Sequence, residues 1–431
     1  MTDPPIPLTA RETARRRVLE ALRRQGPMAR VELGQELGLS AATVSDLTAG
    51  LVEDGILVVD GGGEPAALIR GRPKTRLTFA ADLGAVIGAW TGFNRIELRL
   101  VDSAGVSRAT RRLELPLRDL APEALVGTLA AAIETFRDDH PGAPPVRAVG
   151  VAVQGYVDAR EGVIAWSPVF GARDIALARG LSERLNRPVL VENDASAMAF
   201  ALAQRDPELR AGRTACLMVG DGVGLGFLIG GELYRGARSG GSEFGHVRLR
   251  RGGPQCRCGG RGCVEAFLAD YALHRDAQLI DQRPAPDGLM PGEDAMAVIT
   301  ARARAGDPAL AALFREAGEV LGDAVGVVVQ TLEPDHVVIC GPGTRAWDLL
   351  QPSFETAFER QTIPELRALA TLHVVKAGSE LLTEGVVLQA LLRELDVALA
   401  RSRAACGTPA EGGDSRACRK SRVILCSPQP S

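Results

Sequence analysis

Nine residues separate His246 from the segment Cys256-Arg257-Cys258-Gly259-Gly260-Arg261-Gly262-Cys263-Val264-Glu265, which holds three of the chain's eight cysteines. Three thiolates and one imidazole are donors that close around a tetrahedral Zn²⁺. Gly259 and Gly262 let the backbone turn tightly enough for the sulfurs to converge. The competing readings are three unrelated buried thiols or a disulfide. A Cys-X-Cys pair bridges poorly, and nothing else in the sequence marks secretion. A site built from His246, Cys256, Cys258 and Cys263 leaves no open position, so its one zinc is structural rather than hydrolytic.

Such a loop needs a scaffold, and 431 residues supply about two to three domains. Hydrophobic residues make up 46% and charged residues 24%, a soluble globular balance. The net charge of −3 does not announce a nucleic-acid partner in bulk. No apolar run reaches the ~18 residues of a membrane span, and the Pro-rich, then Arg-rich N-terminus lacks the apolar core of a signal peptide. Free thiols and a zinc site fit a reducing cytoplasm.

The first 80 residues read as a DNA-binding unit. Residues 1–10 are polar and Pro-rich, an unstructured start. A helical pattern from Thr13 carries Val18, Leu19 and Leu22 on one face and ends at Gly26-Pro27. A short second helix carries Val31, Leu33 and Leu37. Gly38-Leu39-Ser40 is a tight turn, Ser40 an N-cap, and Ala41–Glu53 the next helix. Ile56-Leu57-Val58-Val59 reads as a strand, and Gly61–Gly63 as a hairpin tip. This is the grammar of a winged helix-turn-helix over 11–65. The segment Leu37–Ser45 resembles the turn and recognition helix of many bacterial repressors. Ser40, Ala42, Thr43 and Ser45 are the candidate DNA contacts, small side chains able to meet thymine methyls or phosphates. Residues 66–80 read as a basic linker. Its Arg70-Gly71-Arg72-Pro73-Lys74 is either solvated or an arm whose Arg72 enters an A·T-rich minor groove.

Beyond it, strands and helices alternate, hence α/β. Val86–Ala89 and Ile96–Val101 pair across Gly92-Phe93-Asn94. Val146–Val153 and Val189–Val191 are apolar strands, and the second runs into Asn193-Asp194. Leu120–Phe136 and Phe314–Leu332 are helices. Cys216–Val219 with Gly226–Ile229 is a hairpin, and Val337–Cys340 a strand. Residues 401–431 lose apolar periodicity and read as a disordered tail.

Glu243-Phe244-Gly245-His246, the cysteine segment and Glu265 together resemble the signature of the ROK family, which holds bacterial sugar kinases and sugar-responsive transcriptional repressors. The resemblance covers roughly residues 80–395. It implies a two-lobed, actin-like, hexokinase-type domain after the winged helix, with lobe 1 at 81–200 and lobe 2 at 201–400. The last helix is expected to return to lobe 1. In ROK sugar kinases the residues matching Asn193, Asp194, Glu243, His246 and Glu265 contact the sugar, and the one matching Asp194 is the general base. His246 would give one nitrogen to zinc and the other to the sugar. Many ROK repressors carry a Gly-Arg-Pro where this chain has Gly71-Arg72-Pro73, and many carry a basic residue where it has Asp46.

Phosphoryl transfer needs a cradle for ATP phosphates and Mg²⁺. ROK kinases supply it from an Asp-X-Gly-X-Thr loop and a later Gly-Thr-Gly loop. Here the first reads Trp90-Thr91-Gly92-Phe93-Asn94 and the second Gly220-Asp221-Gly222. One carboxylate is lost and another gained where phosphate belongs. Two like charges ~4 Å apart repel by about 4 kcal/mol at an effective dielectric of 20. The sequence therefore points to a repressor of carbohydrate uptake or catabolism genes, without ATP or catalysis. It would act as a homodimer or homotetramer on a palindromic DNA operator and respond to a sugar. The alternatives are an active ATP-dependent sugar kinase that also binds DNA, and a repressor whose ROK domain binds a protein partner.

Overall fold

A computed structural model of the chain describes residues 8–60, 75–81, 83–237, 243–284, 290–376 and 378–406. Helix α1 (Ala10–Gln25) starts on a capping box: Thr9 accepts from the Glu12 amide and Glu12 from the Thr9 amide. Strand β1 (Met28–Ala29), α2 (Arg30–Leu37), α3 (Ala41–Glu53), β2 (Leu57–Asp60) and β3 (Arg76–Phe79) follow. The three short strands form an antiparallel sheet in the order β1-β3-β2. Val18, Leu22, Leu33, Val44, Leu47 and Leu51 pack beneath it with Leu77 and Phe79. This is the winged helix-turn-helix expected. Its boundary differs: β3 belongs to this sheet, so the unit reaches Phe79, and residues 76–79 are not linker. The expected hairpin tip Gly61–Gly63 and Arg70–Lys74 lie outside the described residues.

The remaining chain repeats one strand plan twice. Lobe 1 holds β4 (Ala85–Gly92), β5 (Arg95–Asp102), β6 (Ser107–Glu114), α4 (Pro122–Asp138), β7 (Val146–Val153), the ribbon β8 (Tyr156–Asp158) and β9 (Val163–Trp166), α5 (Leu177–Leu185) and β10 (Val189–Asn193). Its sheet runs β10-β7-β4-β5-β6, an antiparallel meander with two parallel strands added. After α6 (Asp194–Arg205) and α7 (Pro207–Ala211), lobe 2 begins with β11 (Arg213–Val219), β12 (Val223–Ile229) and β13 (Glu232–Leu233). The short helices α8 (Glu265–Leu268) and α9 (Asp270–Ile280) come next, then α10 (Glu293–Arg304) and α11 (Pro308–Leu332). Strand β14 (His336–Cys340), α12 (Trp347–Gln361), α13 (Pro364–Arg367) and β15 (Thr371–Val375) complete the lobe. Its sheet, β13-β12-β11-β14-β15, has the same order and the same mix of antiparallel and parallel pairs.

The final helix α14 (Glu380–Cys406) returns to lobe 1, as expected, and packs on β4 and β7. A Cβ on Gly150 would lie 2.6 Å from the Val386 carbonyl, so only glycine lets the helix settle this close to the sheet. α14 also packs along α6, and its Leu395 and Leu399 enter the core of the DNA-binding unit. It continues to Cys406, so the expected disordered tail starts too early at 401; residues 407–431 lie outside the described residues. No helix among the described residues is long and apolar enough to cross a membrane.

Candidate ligand cleft and metal centre

The donor atoms of His246, Cys256, Cys258 and Cys263 all lie within 4.8 Å of one another. Cys256 Sγ is 3.5 Å from His246 Nδ1, and Cys258 Sγ is 3.8 Å from Cys263 Sγ. Turns make this convergence possible. Gly262 has φ +77, and a Cβ there would overlap the Arg250 carbonyl. Gly259 has φ +85. Arg275 on α9 donates to the carbonyls of Gln255 and Ala266, fastening the loop at both ends. Three sulfurs and one nitrogen at these separations suit a tetrahedral Zn²⁺. Burial raises the Cys256 and Cys263 thiols, which a bound cation would offset by stabilising thiolates.

The five expected sugar contacts line one cleft between the lobes, with Gln154, Trp166 and Pro168 on the lobe 1 side. Asn193 caps α6: its side chain accepts from the Ser196 amide and donates to the Gly155 carbonyl. Asp194, 4% exposed, accepts from the Ala195 amide. Burial first, then the charges of Glu243 and Asp221, push its carboxyl up to about 8, against the Ala195 amide. Burial, then Glu265, pushes Glu243 up to about 7. Glu265 accepts from the Val223 amide at 3.3 Å and from the Tyr271 hydroxyl at 3.3 Å. His246 turns Nδ1 toward Cys256 and Nε2 toward Glu243, at 3.6 Å, while Trp166 packs edge-on at 5.4 Å. One imidazole thus faces both the metal centre and the cleft. In this conformation the cavity measures about 20 Å³, room for about one water.

The sequence reading missed Gln154, Trp166 and Pro168. Gln154 and Gly155 follow the apolar strand β7, and strand C-terminal ends are where ligands bind in open α/β sheets. That signal was present. For Trp166, on a short ribbon strand, none was.

The two loops expected to depart from the kinase pattern, Trp90–Asn94 and Gly220–Gly222, face each other. Trp90 is buried, and the Arg95 guanidinium lies 4.7 Å from its ring centroid. Arg95 Nη2 reaches Asp221 Oδ2 at 3.3 Å, across the cleft from lobe 1 to lobe 2. Burial raises the Asp221 carboxyl, opposed by Arg95, Arg257, Arg345 and Arg112. Asn94, at φ +50, serves the tight β4–β5 turn.

On the DNA-binding unit, Ala42, Thr43 and Ser45 are exposed along one face of α3. The hydroxyl of Ser40 is held by its cap, accepting from the Thr43 amide and lying 2.8 Å from Thr43 Oγ1. Asp46 pairs with Arg11 at 3.0 Å, which mutes its charge at this face. Arg72 lies outside the described residues.

The model of the ROK family matches residues 86–386, and that of the IclR helix-turn-helix domain matches residues 17–61. A glucokinase of Streptomyces coelicolor is 29% identical over 291 residues, 64% of this chain and 88% of that protein. The xylose repressor of Bacillus subtilis is 28% identical over 269 residues, 62% and 68% of the two chains. The crystal structure of a ROK family transcriptional regulator, described as a homologue of the E. coli MLC protein, superposes with a TM-score of 0.73. It covers 91% of this chain and 99% of its own at 22% identity, a likeness of fold.

Proposed function

The chain belongs to the ROK family, and on that premise we propose that it is a sugar-responsive, DNA-binding transcriptional repressor whose kinase-like domain senses a sugar without phosphorylating it. The observation that supports this is the Arg95–Asp221 pair, which joins the two loops that depart from the ROK kinase pattern. The residues expected to contact a sugar line one cleft beside it, which supports the sensing half of this reading. Asn193, Asp194, Glu243, His246 and Glu265 offer the mixture of donors and acceptors that hydroxyls require. Burial raises the Asp194 carboxyl to about 8, so its protonated form can donate a hydrogen bond to a sugar oxygen.

His246, Cys256, Cys258 and Cys263 hold one structural zinc, which orients His246 and stiffens the stretch ending at Glu265. Two copies of the winged helix read a palindromic operator, with Ala42, Thr43 and Ser45 in the major groove and Ser40 presenting the helix. Sugar binding shifts the lobes, and α14, packed on both the lobe 1 sheet and the DNA-binding core, passes that shift on. The coupling comes from unequal sugar affinity for the two states. The experiment is a thermal-shift screen of zinc-loaded protein against monosaccharides, their phosphates and ATP. The reading expects a shift with a sugar and none with ATP.

A second reading is favoured by the likeness to a glucokinase and by the retained Asp194: a DNA-binding sugar kinase. ATP-dependent sugar phosphorylation that disappears in Asp194→Ala would establish it.

A further inference from the structure

Two contiguous cavities of about 530 and 500 Å³ lie between the DNA-binding unit and the ROK domain and share no lining residue with the sugar cleft. They share Glu20, Arg24, Glu36, Gln204, Arg210 and Leu392. Helix α1 forms one wall, and α7 and α14 form the opposite one. Cavities of this size accommodate small-molecule ligands.

Their charge is unusual for this chain. Nine arginines line them against five carboxyl groups, although the protein as a whole is net negative. The arginines are also incompletely paired. Arg23 lines the larger cavity, lies 5.1 Å over the Phe79 ring and donates from Nη2 to the Ser103 carbonyl. Its Nε and Nη1 are buried with no partner among the described residues. Arg210 makes no ion pair among the described residues, and Arg24 has only Glu36 at 3.5 Å. Burial and then the charge of Arg210 lower Arg24, so the two guanidiniums repel each other across the gap. A buried donor without an acceptor costs free energy, and like charges facing a cavity add to that cost. An anion between Arg24 and Arg210 removes their repulsion, and one that also reaches Arg23 supplies its missing acceptor.

We propose that this junction is a second ligand site, built for a small organic phosphate held by Arg23, Arg24 and Arg210. Guanidinium forks match phosphate oxygens in pairs, and several cations around one cavity favour a dianion over a single carboxylate. Val101, Val387, Leu388 and Leu391 give the organic part an apolar wall. The ligand bridges α1 of the DNA-binding unit to α7 and α14 of the sensor, so its occupancy sets how the two units are held. Its binding does not require a sugar in the cleft, although both ligands act on the same junction of α1 and α14.

The test uses full-length, zinc-loaded protein and inorganic phosphate as the minimal probe, against chloride at equal ionic strength. Phosphate raises Tm of the wild type. Arg24→Gln/Arg210→Gln is at least as stable in chloride and has lost the phosphate response. Asp194→Asn, which alters only the cleft, keeps it. No response in the wild type overturns the proposal. An equal response in the double variant does so too, since the anion would then lie elsewhere, such as on the DNA-binding face. Glucose 6-phosphate and succinate then identify the class. A phosphate ester that binds at least tenfold more tightly than succinate, with that difference lost in the double variant, supports the assignment; equal binding of succinate contradicts it.

Discussion

Arg95, at the start of β5, spans the cleft to Asp221 on the β11–β12 turn, with Nη2 3.3 Å from Oδ2. Lobe 1 and lobe 2 are thus tied by an ion pair. The partners are 26% and 21% exposed, so the pair contributes about 1 kcal/mol or less to closure. In the proposed reading its larger effect is occupancy: the Asp221 carboxylate engages Arg95 and would oppose a phosphate there.

Asp221→Thr removes that carboxylate. The expected result is a protein of near wild-type stability in which Mg-ATP produces a thermal shift that the wild type lacks. Equal ATP responses in the two proteins would mean that Asp221 does not guard the site.

The metal loop gives a second prediction. Cys263 is fully buried, and Cys263→Ser removes one of four ligands. Metal content measured by atomic emission should fall from one zinc per chain toward none, and Tm should drop. Sugar affinity should weaken about tenfold or more through the loosened His246 and Glu265. Unchanged sugar binding in metal-free protein would detach the metal centre from the cleft.

Asp194 sets a pH dependence. Its folded carboxyl is raised to about 8, above its ordinary value, so the folded state holds a proton that the unfolded chain has released. The associated stability is fully present below about pH 4 and is lost as pH rises toward and through 8. Asp194→Asn should therefore raise Tm of the ligand-free protein, by an amount that grows between pH 5 and 8, and weaken sugar binding at least tenfold. Parallel Tm profiles for the two proteins would contradict the assignment.

Leu399 is fully buried where α14 enters the DNA-binding core. Leu399→Ala should cost about 2–5 kcal/mol locally. In the proposed coupling, sugar still binds in this variant but changes operator affinity less than in the wild type. Fluorescence anisotropy on an operator duplex measures both quantities.

Much of this was legible in the sequence because local chemistry carried it. The four candidate metal ligands lie close in sequence, on a turn-rich stretch, so spacing alone brought them together. Asn193-Asp194 followed a recognisable apolar strand, and Ser40 announced its own helix. What escaped detection depended on distant pairing. Arg76–Phe79 has too little apolar content to read as a strand until β1 and β2 flank it. Arg95 appeared as one more polar residue in a hairpin, because its partner Asp221 is 126 positions away. Trp166 and Gln154 reach the cleft only through the folding of lobe 1. The arginines at the domain junction come from α1, α7 and other segments far apart in the chain, so no local motif marked them.

The central claim is that a sugar held in the cleft changes DNA affinity without being phosphorylated. The most direct measurement is the anisotropy of a fluorescent duplex selected by the protein from random DNA. It is titrated with zinc-loaded protein with and without the sugar that stabilises it, in the presence of Mg-ATP and an ADP readout. The account predicts at least a fivefold loss of operator affinity with sugar and no ADP. Unchanged DNA affinity at saturating sugar, or ADP formed in step with added sugar, would contradict it.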